Sequence, residues 1–219
     1  TEINFINNSY ILLKGKISLI GTENEPIKIT SNNTSGSLII IEAKDKSILK
    51  NVVFSNLKLP YFPDLGITGN ITFYNSPVTI SNCSFLNLNA EDSLNVIGST
   101  LELNNSYFKG SFSDALDLDF VKAKIKNVYF ENIGNDAIDV SGSEVDANNI
   151  FISGAQDKGI SVGEKSIFSI TNVSVFQTNI AFASKDLSVL NLSNLYIKNN
   201  GLCLSASVLL IDNNQALQI

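Results

Sequence analysis

One short phrase recurs along the chain at a nearly constant interval. With small variations it consists of an apolar residue, a variable residue, asparagine, two variable residues and an aromatic or aliphatic residue, as in Ile80–Phe85. An earlier copy occupies Leu49–Phe54. A fixed period indicates a repeat architecture, in which each copy forms one structural unit that packs against the next. The asparagines of six successive copies, 22 or 23 residues apart, are Asn82, Asn105, Asn127, Asn149, Asn172 and Asn194.

A second phrase runs with the same period, and in it apolar residues alternate with polar ones. Such alternation is typical of a strand with one buried face. The copies are joined by Gly, Asn, Ser and Asp, which favour turns, and none contains the roughly ten or more helix-patterned residues that a crossover helix requires. The four clearest copies are Ser93–Ile97, Ala115–Asp119, Ala137–Ser141 and Gly159–Gly163.

Short strands, no helices and this period predict an all-β fold, a right-handed parallel β-helix (solenoid) with coils of about 22 residues, one for each repeat. Coils of a solenoid stack at the ~4.8 Å spacing of paired strands, so equivalent residues of successive coils lie directly above one another. We expect residues 1–219 to form a single β-helix domain. The apolar residues predicted to fill its interior are Leu116, Leu118, Ile138, Val140, Ile160 and Val162.

The recurring asparagine predicts an internal asparagine ladder at one turn of the coil. Stacked side-chain amides can hydrogen-bond one another and cap buried backbone groups, and asparagine favours turns. We therefore assign these asparagines a structural role rather than a functional one.

Three regions depart from the repeat. Residues 1–35 contain strand-like segments around a turn-rich stretch, and we expect them to form the first coils or an N-terminal cap. Residues 57–69 interrupt the period with two of the four prolines, which predicts a loop insertion that carries Tyr61 and Phe62. We expect the C-terminus to be a truncation and, because Thr1 is not an initiator methionine, other domains in a longer parent chain.

The polar composition excludes several classes of function. The chain has no histidine and all 15 basic residues are lysines, which excludes Ser-His-Asp catalysis, histidine-ligated zinc and arginine clamps for phosphate. A net charge of −6 argues against nucleic acid as a partner. No apolar run reaches the ~20 residues that span a bilayer, so no membrane insertion is expected. Cys83 and Cys203 fall about five coils apart, beyond disulfide reach, and are expected to be free thiols.

Aspartates gather in neighbouring coils when the repeats are aligned. Carboxylates on adjacent coils would lie ~5 Å apart, and each pair would repel by about 3 kcal/mol at an effective dielectric constant near 20. Some carboxyl groups are therefore expected to stay protonated, to bind a cation, or to be compensated by Lys158. Oxygen ligands without histidine favour calcium, and the candidate calcium ligands are Asp114, Asp117, Asp136 and Asp139.

A structural alternative exists for the aspartates at the turn before each strand. Asp92, Asp114 and Asp136 can accept hydrogen bonds from backbone N–H groups, as turn aspartates commonly do. That alternative is weaker for Asp117 and Asp139, because they fall within strands, where aspartate is disfavoured. The strand pair is therefore the more informative part of the cluster.

The cluster resembles the signatures of polygalacturonases, which belong to the pectate-lyase-like superfamily of right-handed β-helices. On that resemblance, Asp114 and Asp136 match two of the family's three aspartates, whereas Asn135 stands where the proton donor is expected and Lys158 replaces the histidine. The resemblance implies an extracellular or cell-surface protein that acts on or binds a polysaccharide. The segments that carry it are Ser113–Asp117, Asn135–Asp139 and Asp157–Gly163.

Three functions remain open. The first is binding of an acidic or neutral polysaccharide on the Asp-rich sheet face, with calcium as a candidate cofactor. The second is catalysis, either by a hydrolase with two carboxyl groups ~6.5–9.5 Å apart, such as Asp114 and Asp139, or by a lyase with Lys158 as base. The third is a non-catalytic spacer or adhesin module. The candidate catalytic residues are Asp114, Asp136, Asp139 and Lys158; the candidate substrate-binding residues are Asp117, Asp119, Asp157, Tyr61 and Phe62.

Overall fold

The computed structural model describes residues 1–32, 35–60, 66–206 and 209–211, and every regular element in these ranges is a β-strand. The predicted all-β solenoid is confirmed, because all pairings between the strands are parallel. The strands are β1 (Glu2–Phe5), β2 (Ile11–Leu13), β3 (Ser18–Ile20), β4 (Ile27–Ser31), β5 (Leu38–Ile41), β6 (Ser47–Lys50), β7 (Val52–Ser55), β8 (Gly69–Tyr74), β9 (Val78–Ser81), β10 (Ser84–Leu86), β11 (Asp92–Ile97), β12 (Thr100–Lys109), β13 (Asp114–Asp119), β14 (Lys122–Ile133), β15 (Ile138–Ser141), β16 (Glu144–Ala155), β17 (Lys158–Gly163), β18 (Ile167–Phe176), β19 (Ile180–Ser184), β20 (Val189–Lys198), β21 (Leu202–Ala206) and β22 (Leu209–Ile211).

The coils stack with a nearly constant register. Leu116 pairs with Ile138, and Ile138 pairs with Ile160, a step of 22 residues each time. Nine strands form one sheet in the order β2-β5-β8-β11-β13-β15-β17-β19-β21, and thirteen form a second sheet. Each coil therefore contributes one strand to the nine-stranded sheet and returns through the other sheet.

The interior is apolar and is filled by side chains that stack from coil to coil. The six aliphatic residues predicted for the interior, from Leu116 to Val162, are fully buried. A column of phenylalanines runs beside them, with ring centroids 5.3 Å apart for Phe54 and Phe85, 4.3 Å for Phe85 and Phe108, and 4.9 Å for Phe108 and Phe130. Stacking like side chains fills the interior in every coil, and burial of apolar surface is the main stabilising term in such a fold.

A column of buried serines closes a turn of the coil and was not predicted from the sequence. The Oγ atom of Ser143 accepts a hydrogen bond from the N–H of Val121 (2.7 Å), that of Ser166 accepts from Ser143 (3.0 Å), and that of Ser188 accepts from Ser166 (3.1 Å). The Ser166 hydroxyl also donates to the carbonyl of Gly163. These hydroxyls satisfy buried backbone groups at a position where the strand ladder is interrupted.

The asparagines of the repeat form a ladder, but on the outer surface. The Nδ2 of Asn127 donates to Oδ1 of Asn105 (2.8 Å), Asn149 donates to Asn127 (2.9 Å), and Asn194 donates to Asn172. These side chains are exposed or half-buried, which corrects the expectation of an internal ladder. All have a positive φ, between 49° and 59°, so asparagine recurs here chiefly because it tolerates the left-handed backbone of the turn.

The regions outside the regular repeat are only partly described. In the first coils β1 pairs with β4, and β2 pairs with β5. Between β7 and β8 the described residues contain a single bridge, Lys58 to Asn89, whereas Tyr61 and Phe62 lie outside the described residues. Both cysteines are free, as predicted, and burial raises the pKa of Cys83 to about 11.

The buried serine column predicts a stability effect. We expect Ser166→Ala to lower the free energy of unfolding by about 1–3 kcal/mol, because it leaves the N–H of Ser143 buried without its acceptor. Urea denaturation followed by circular dichroism would measure the change. Ser153→Ala, at a half-buried serine of the outer surface, is the matched control and should change stability by less than about 0.5 kcal/mol. Equal effects of the two substitutions would contradict a special role for the column.

Candidate functional site

The aspartates aligned from the sequence lie together on the outer side of the nine-stranded sheet. Asn95 pairs with Asp117, Asp117 with Asp139, and Asp139 with Ser161, as the repeat predicted. Asp119 lies one pleat further along β13, in register with Ser141. We call this surface the acidic face, and its members are Asp92, Asn95, Asp114, Asp117, Asp119, Asp136, Asp139, Asp157 and Lys158.

Asp117 is the most perturbed carboxyl group of the acidic face. Its Oδ2 accepts a hydrogen bond from Nδ2 of Asn95 (2.7 Å), which also lies 3.1 Å from Oδ2 of Asp92. Burial, followed by repulsion from Asp92, Asp119 and Asp139, raises the pKa of Asp117 to about 9. Burial likewise raises the pKa of Asp92 to about 6. Asp117 is therefore neutral at pH 7, which relieves part of the expected repulsion.

The hydrogen-bonding surroundings of the Asn95 side chain are consistent with a protonated Asp117. The Asn95 side chain is 1% exposed, and its Oδ1 is a buried acceptor without a partner in the described part of the chain. Three acceptors, on Asp117, Asp92 and Thr68, surround its Nδ2, which has only two hydrogens. Rotating the amide by about 180° brings Oδ1 against Asp117, whose protonated carboxyl can then donate to it. Either orientation leaves a carboxyl and a carboxamide side by side on adjacent coils.

The turn aspartates Asp114 and Asp136 have structural partners. The Oδ1 of Asp114 accepts hydrogen bonds from the backbone N–H of Asp136 (2.8 Å) and from Nδ2 of Asn135 (2.7 Å). The Oδ1 of Asp136 accepts from the backbone N–H of Lys158 (2.9 Å). Burial raises the pKa of both groups, that of Asp136 to about 6. Each aspartate thus holds the turn of the following coil, as the structural alternative predicted.

Lys158 neutralises part of the charge of the neighbouring carboxylates and is poorly suited to act as a catalytic base. Its Nζ lies 3.4 Å from Oδ2 of Asp136 and forms a close ion pair with Asp157. Burial alone would lower the pKa of Lys158, but the hydrogen bond to Asp157 and the attraction of both carboxylates outweigh it and raise the pKa. A base must lose its proton readily, so this environment disfavours Lys158 as the base of a lyase. Asp157, a predicted substrate-binding residue, is occupied by the same ion pair.

Asp119 and Asp139 are the last two aspartates of the predicted site. They lie beside Asp117 and are half-buried. Burial, with repulsion from Asp139 and Glu164, raises the pKa of Asp119. The Oδ1 of Asp139 accepts a hydrogen bond from the backbone N–H of Val140 (2.9 Å). Asp117, Asp119 and Asp139 therefore form the accessible centre of the acidic face, whereas the turn residues form its edge.

Two exposed phenylalanines near the ends of β13 were not predicted from the sequence as site residues. Phe112 precedes the strand and is 68% exposed; Phe120 follows it and is 65% exposed. Aromatic groups next to hydrogen-bonding groups are typical of ligand sites. Their positions shortly before and after the Asp-rich strand could have indicated them in the sequence. Tyr61 and Phe62, which were predicted to supply the aromatic contact, lie outside the described residues.

Among the described residues, no group of three or more histidine, cysteine, aspartate or glutamate side chains lies in an arrangement that could hold a metal ion. No helix in the same ranges is long and apolar enough to cross a bilayer. Calcium therefore stays a prediction from the sequence.

The chain was compared with protein families and known structures. No family model matches it, and no curated protein matches it in sequence. It is similar to the catalytic domain of a GH87 α-1,3-glucanase in complex with nigerose (11% identity, TM-score 0.47) and in complex with tetrasaccharides (12%, 0.38). It is also similar to bacteriophage CBA120 tailspike protein 3 (9%, 0.19). Each match covers 97% of this chain. The chain in turn spans 63% of the length of the glucanase domain and 56% of the length of the tailspike.

The raised pKa of Asp117 predicts a pH dependence of stability. The folded state keeps the proton up to about pH 9, whereas unfolded aspartate loses it near pH 4. The unfolded state is therefore favoured progressively as pH rises through this window, and the free energy of unfolding should fall. Asp117→Asn should remove most of the fall above about pH 6, because the other carboxyl groups with raised pKa values include Asp92 and Asp136, which titrate at about 6.

Urea denaturation from pH 4 to pH 9 would measure this effect. We expect Asp117→Asn to match the wild type near pH 4 and to be more stable than it above pH 7. Asp146→Asn, at an exposed aspartate of β16 in the other sheet, is the control and should leave the profile unchanged. A wild-type profile that is flat between pH 6 and pH 9 would show that Asp117 is ionised in the folded protein.

Proposed function

We propose that the acidic face binds an extended, neutral polysaccharide, and that it does so as a module of an extracellular protein. The observation that carries the proposal is the contact between the Asp117 carboxyl group and the Asn95 carboxamide, with the exposed Phe112 and Phe120 before and after the Asp117 strand. Burial raises the pKa of Asp117 to about 9, which favours a neutral carboxyl group there. A neutral carboxyl group and an amide both donate and accept hydrogen bonds. Sugars offer hydroxyl groups to such partners and C–H faces to aromatic rings.

The charge of the face supports a neutral ligand over an acidic one. Asp92, Asp117 and Asp119 already have raised pKa values, chiefly because of burial and in part because of their neighbours. A uronate chain would add further negative charge to this surface, at a cost that grows as water is displaced. An acidic polysaccharide would therefore need a bridging cation, and Asp117 with Asp139 are the residues that we expect to bind calcium in that case.

A glycoside hydrolase is a second candidate, favoured by the protonation of Asp117. Such an enzyme needs one protonated carboxyl group and one ionised one, and retaining enzymes place them ~5–5.5 Å apart. Adjacent coils set Asp117 and Asp139 close to that spacing. Asp117 would protonate the glycosidic oxygen while Asp139 attacks the anomeric carbon. Asp114, the other predicted partner of Asp139, is engaged with the turn of the next coil.

The binding proposal predicts a specific pattern of losses. Isothermal titration calorimetry with neutral glucan oligosaccharides should detect binding, and Phe112→Ala/Phe120→Ala should weaken it at least about tenfold. Asp117→Asn should retain binding within about threefold, because asparagine preserves a neutral hydrogen-bonding group. Ile20→Ala, at an apolar residue 59% exposed in the first coils, is the control. Neutral glycans that bind equally well to the double variant would contradict the proposal.

The same titration tests whether the acidic face binds an acidic polysaccharide instead of a neutral one. Oligogalacturonate should bind weakly with or without calcium if the face selects neutral chains. Binding that appears only with calcium, and is lost in Asp117→Asn/Asp139→Asn, would replace the neutral-ligand proposal with a calcium-bridged one. A rise of the melting temperature on addition of calcium alone, absent in that double variant, would point the same way.

The hydrolase candidate is tested by product formation. If Asp117 and Asp139 act as acid and nucleophile, incubation with neutral glucans should release reducing ends. Asp139→Asn should lower the rate by at least about 10³-fold, while leaving glycan binding in calorimetry intact. Asp146→Asn is again the control, because its carboxyl group lies on the other sheet. Binding without any release of reducing ends would leave the protein as a non-catalytic module.

A further inference from the structure

Four aromatic side chains, three of them exposed and Phe176 half-buried, form a stripe on the outer surface of the thirteen-stranded sheet. Their ring centroids lie 5.9 Å apart for Tyr129 and Phe151, 5.3 Å for Phe151 and Phe176, and 5.4 Å for Phe176 and Tyr196. Tyr129 is 49% exposed, Phe151 37% and Tyr196 43%. They belong to β14, β16, β18 and β20, so the stripe crosses four successive coils along the solenoid axis. The acidic face belongs to the other sheet.

Hydrogen-bonding groups border one long edge of the aromatic stripe. The surface asparagine ladder runs there, two residues before the aromatic position in β14 and β16, at Asn127 and Asn149. At the Tyr129 end of the stripe, a groove of about 450 Å³ opens between the ladder and the rings of Tyr107 and Tyr129. The amides of Asn127 and Asn149 each have a second hydrogen and a second lone pair beyond those used in the bond between them. The residues that line the groove are Asn105, Ser106, Tyr107, Asn127, Tyr129 and Asn149.

Charged groups of both signs border the other edge. Lys109 and Glu131 form an ion pair of 2.8 Å, and Glu131 also accepts a hydrogen bond from the hydroxyl of Tyr107. Lys198 stands in register with Phe176 further along. The edge therefore carries little net charge, which favours a neutral ligand. A nucleic acid would need a positively charged groove beside the stacking rings, and this surface lacks one in its described part.

The size of the stripe decides what it can bind. A stable protein partner buries about 800 Å² on each side, whereas the stripe is one side chain wide and spans four coils, or ~14 Å at the spacing of paired strands. A narrow apolar strip between hydrogen-bonding edges matches a single pyranose chain, whose rings have C–H faces and hydroxyl edges. The pyranose repeat of an extended chain is close to the coil spacing, so successive sugars can meet successive rings.

We propose that the aromatic stripe is a separate binding surface for a straight, neutral polysaccharide of β-1,4-linked pyranoses. Equatorial linkages keep the rings of such a chain in one line, so the chain follows the solenoid axis over Tyr129, Phe151, Phe176 and Tyr196. The ladder amides bond the hydroxyl groups along its edge. An α-linked chain coils and leaves the stripe after one or two sugars. This inference does not rest on the acidic face.

Cellohexaose and maltohexaose test the proposal on the whole chain. We expect cellohexaose to bind in calorimetry and maltohexaose to bind at least about tenfold more weakly. Phe151→Ser should lower the affinity for cellohexaose about tenfold, because it removes one of the rings over which the chain would lie. Serine is a tolerated substituent here, since Ser174 occupies the register position opposite Phe151. Ile167→Ser, at an apolar residue 49% exposed on the same sheet but away from the stripe, is the control and should bind normally.

Tyrosine fluorescence supplies an independent readout, because the chain has no tryptophan. Cellohexaose should change the emission of the wild type. In Tyr129→Phe/Tyr196→Phe most of this change should vanish while the calorimetric affinity stays within about threefold, since the rings remain.

Three results would overturn the proposal. One is no binding of cellohexaose at millimolar concentration. Another is equal affinity in Phe151→Ser, with or without a lower melting temperature, which would make the stripe a purely structural cross-strand ladder. The last is binding that is lost in Phe112→Ala/Phe120→Ala but not in Phe151→Ser. That result would assign the sugar to the acidic face alone.

Discussion

Parallel hydrogen bonding between coils at a nearly constant offset of 22 residues is the constraint on which the rest of the structure depends. The offset places each residue above its equivalent in the preceding coil, about 4.8 Å away. Any residue type that recurs with the period therefore becomes a column. The interior phenylalanines, the buried serines at one turn and the surface asparagines at another are three such columns.

The same stacking that stabilises apolar and amide columns is costly for charged ones. Like charges in successive coils cannot avoid each other, since the ladder of backbone hydrogen bonds fixes their spacing. The protein relieves this in two ways on the acidic face. Burial and repulsion keep the Asp117 carboxyl protonated at neutral pH, and Lys158 pairs with Asp136 and Asp157. A face that is crowded with carboxyl groups but reduced in charge is better suited to hydroxyl-rich, neutral molecules than to anions.

Solenoid geometry would allow one stack of coils to present the two binding surfaces that we propose. The nine-stranded sheet offers carboxyl and amide groups between the rings of Phe112 and Phe120, whereas the thirteen-stranded sheet offers an aromatic stripe beside an amide ladder. The aromatic stripe runs along the axis of stacking, whereas Phe112 and Phe120 lie before and after a single strand. We propose a long polymer with a short repeat as the ligand of the stripe, because each coil can repeat the contact made by the coil before it.

Much of the fold and part of the candidate site were predictable because they depend on periodicity. The alternation of apolar and polar residues and the interval between the asparagines are enough to assign strands, coil length and register, and hence the juxtaposition of Asp117 with Asp139. What periodicity cannot assign is burial on the outer surface. The asparagine ladder was expected inside and lies outside, since a positive φ rather than burial requires asparagine there. Phe112 and Phe120 were missed for the same reason.

The class of fold and the membership of each column follow from the spacing of residue types along the chain, so both could be predicted before the structure was known. The role of each column could not, because it depends on three-dimensional surroundings. Whether a carboxyl group is protonated, caps a turn or pairs with a lysine depends on its depth and on the donors around it, which come from other coils. Asp114, Asp117 and Asp139 look equivalent in the repeat, yet their hydrogen bonds and burial differ.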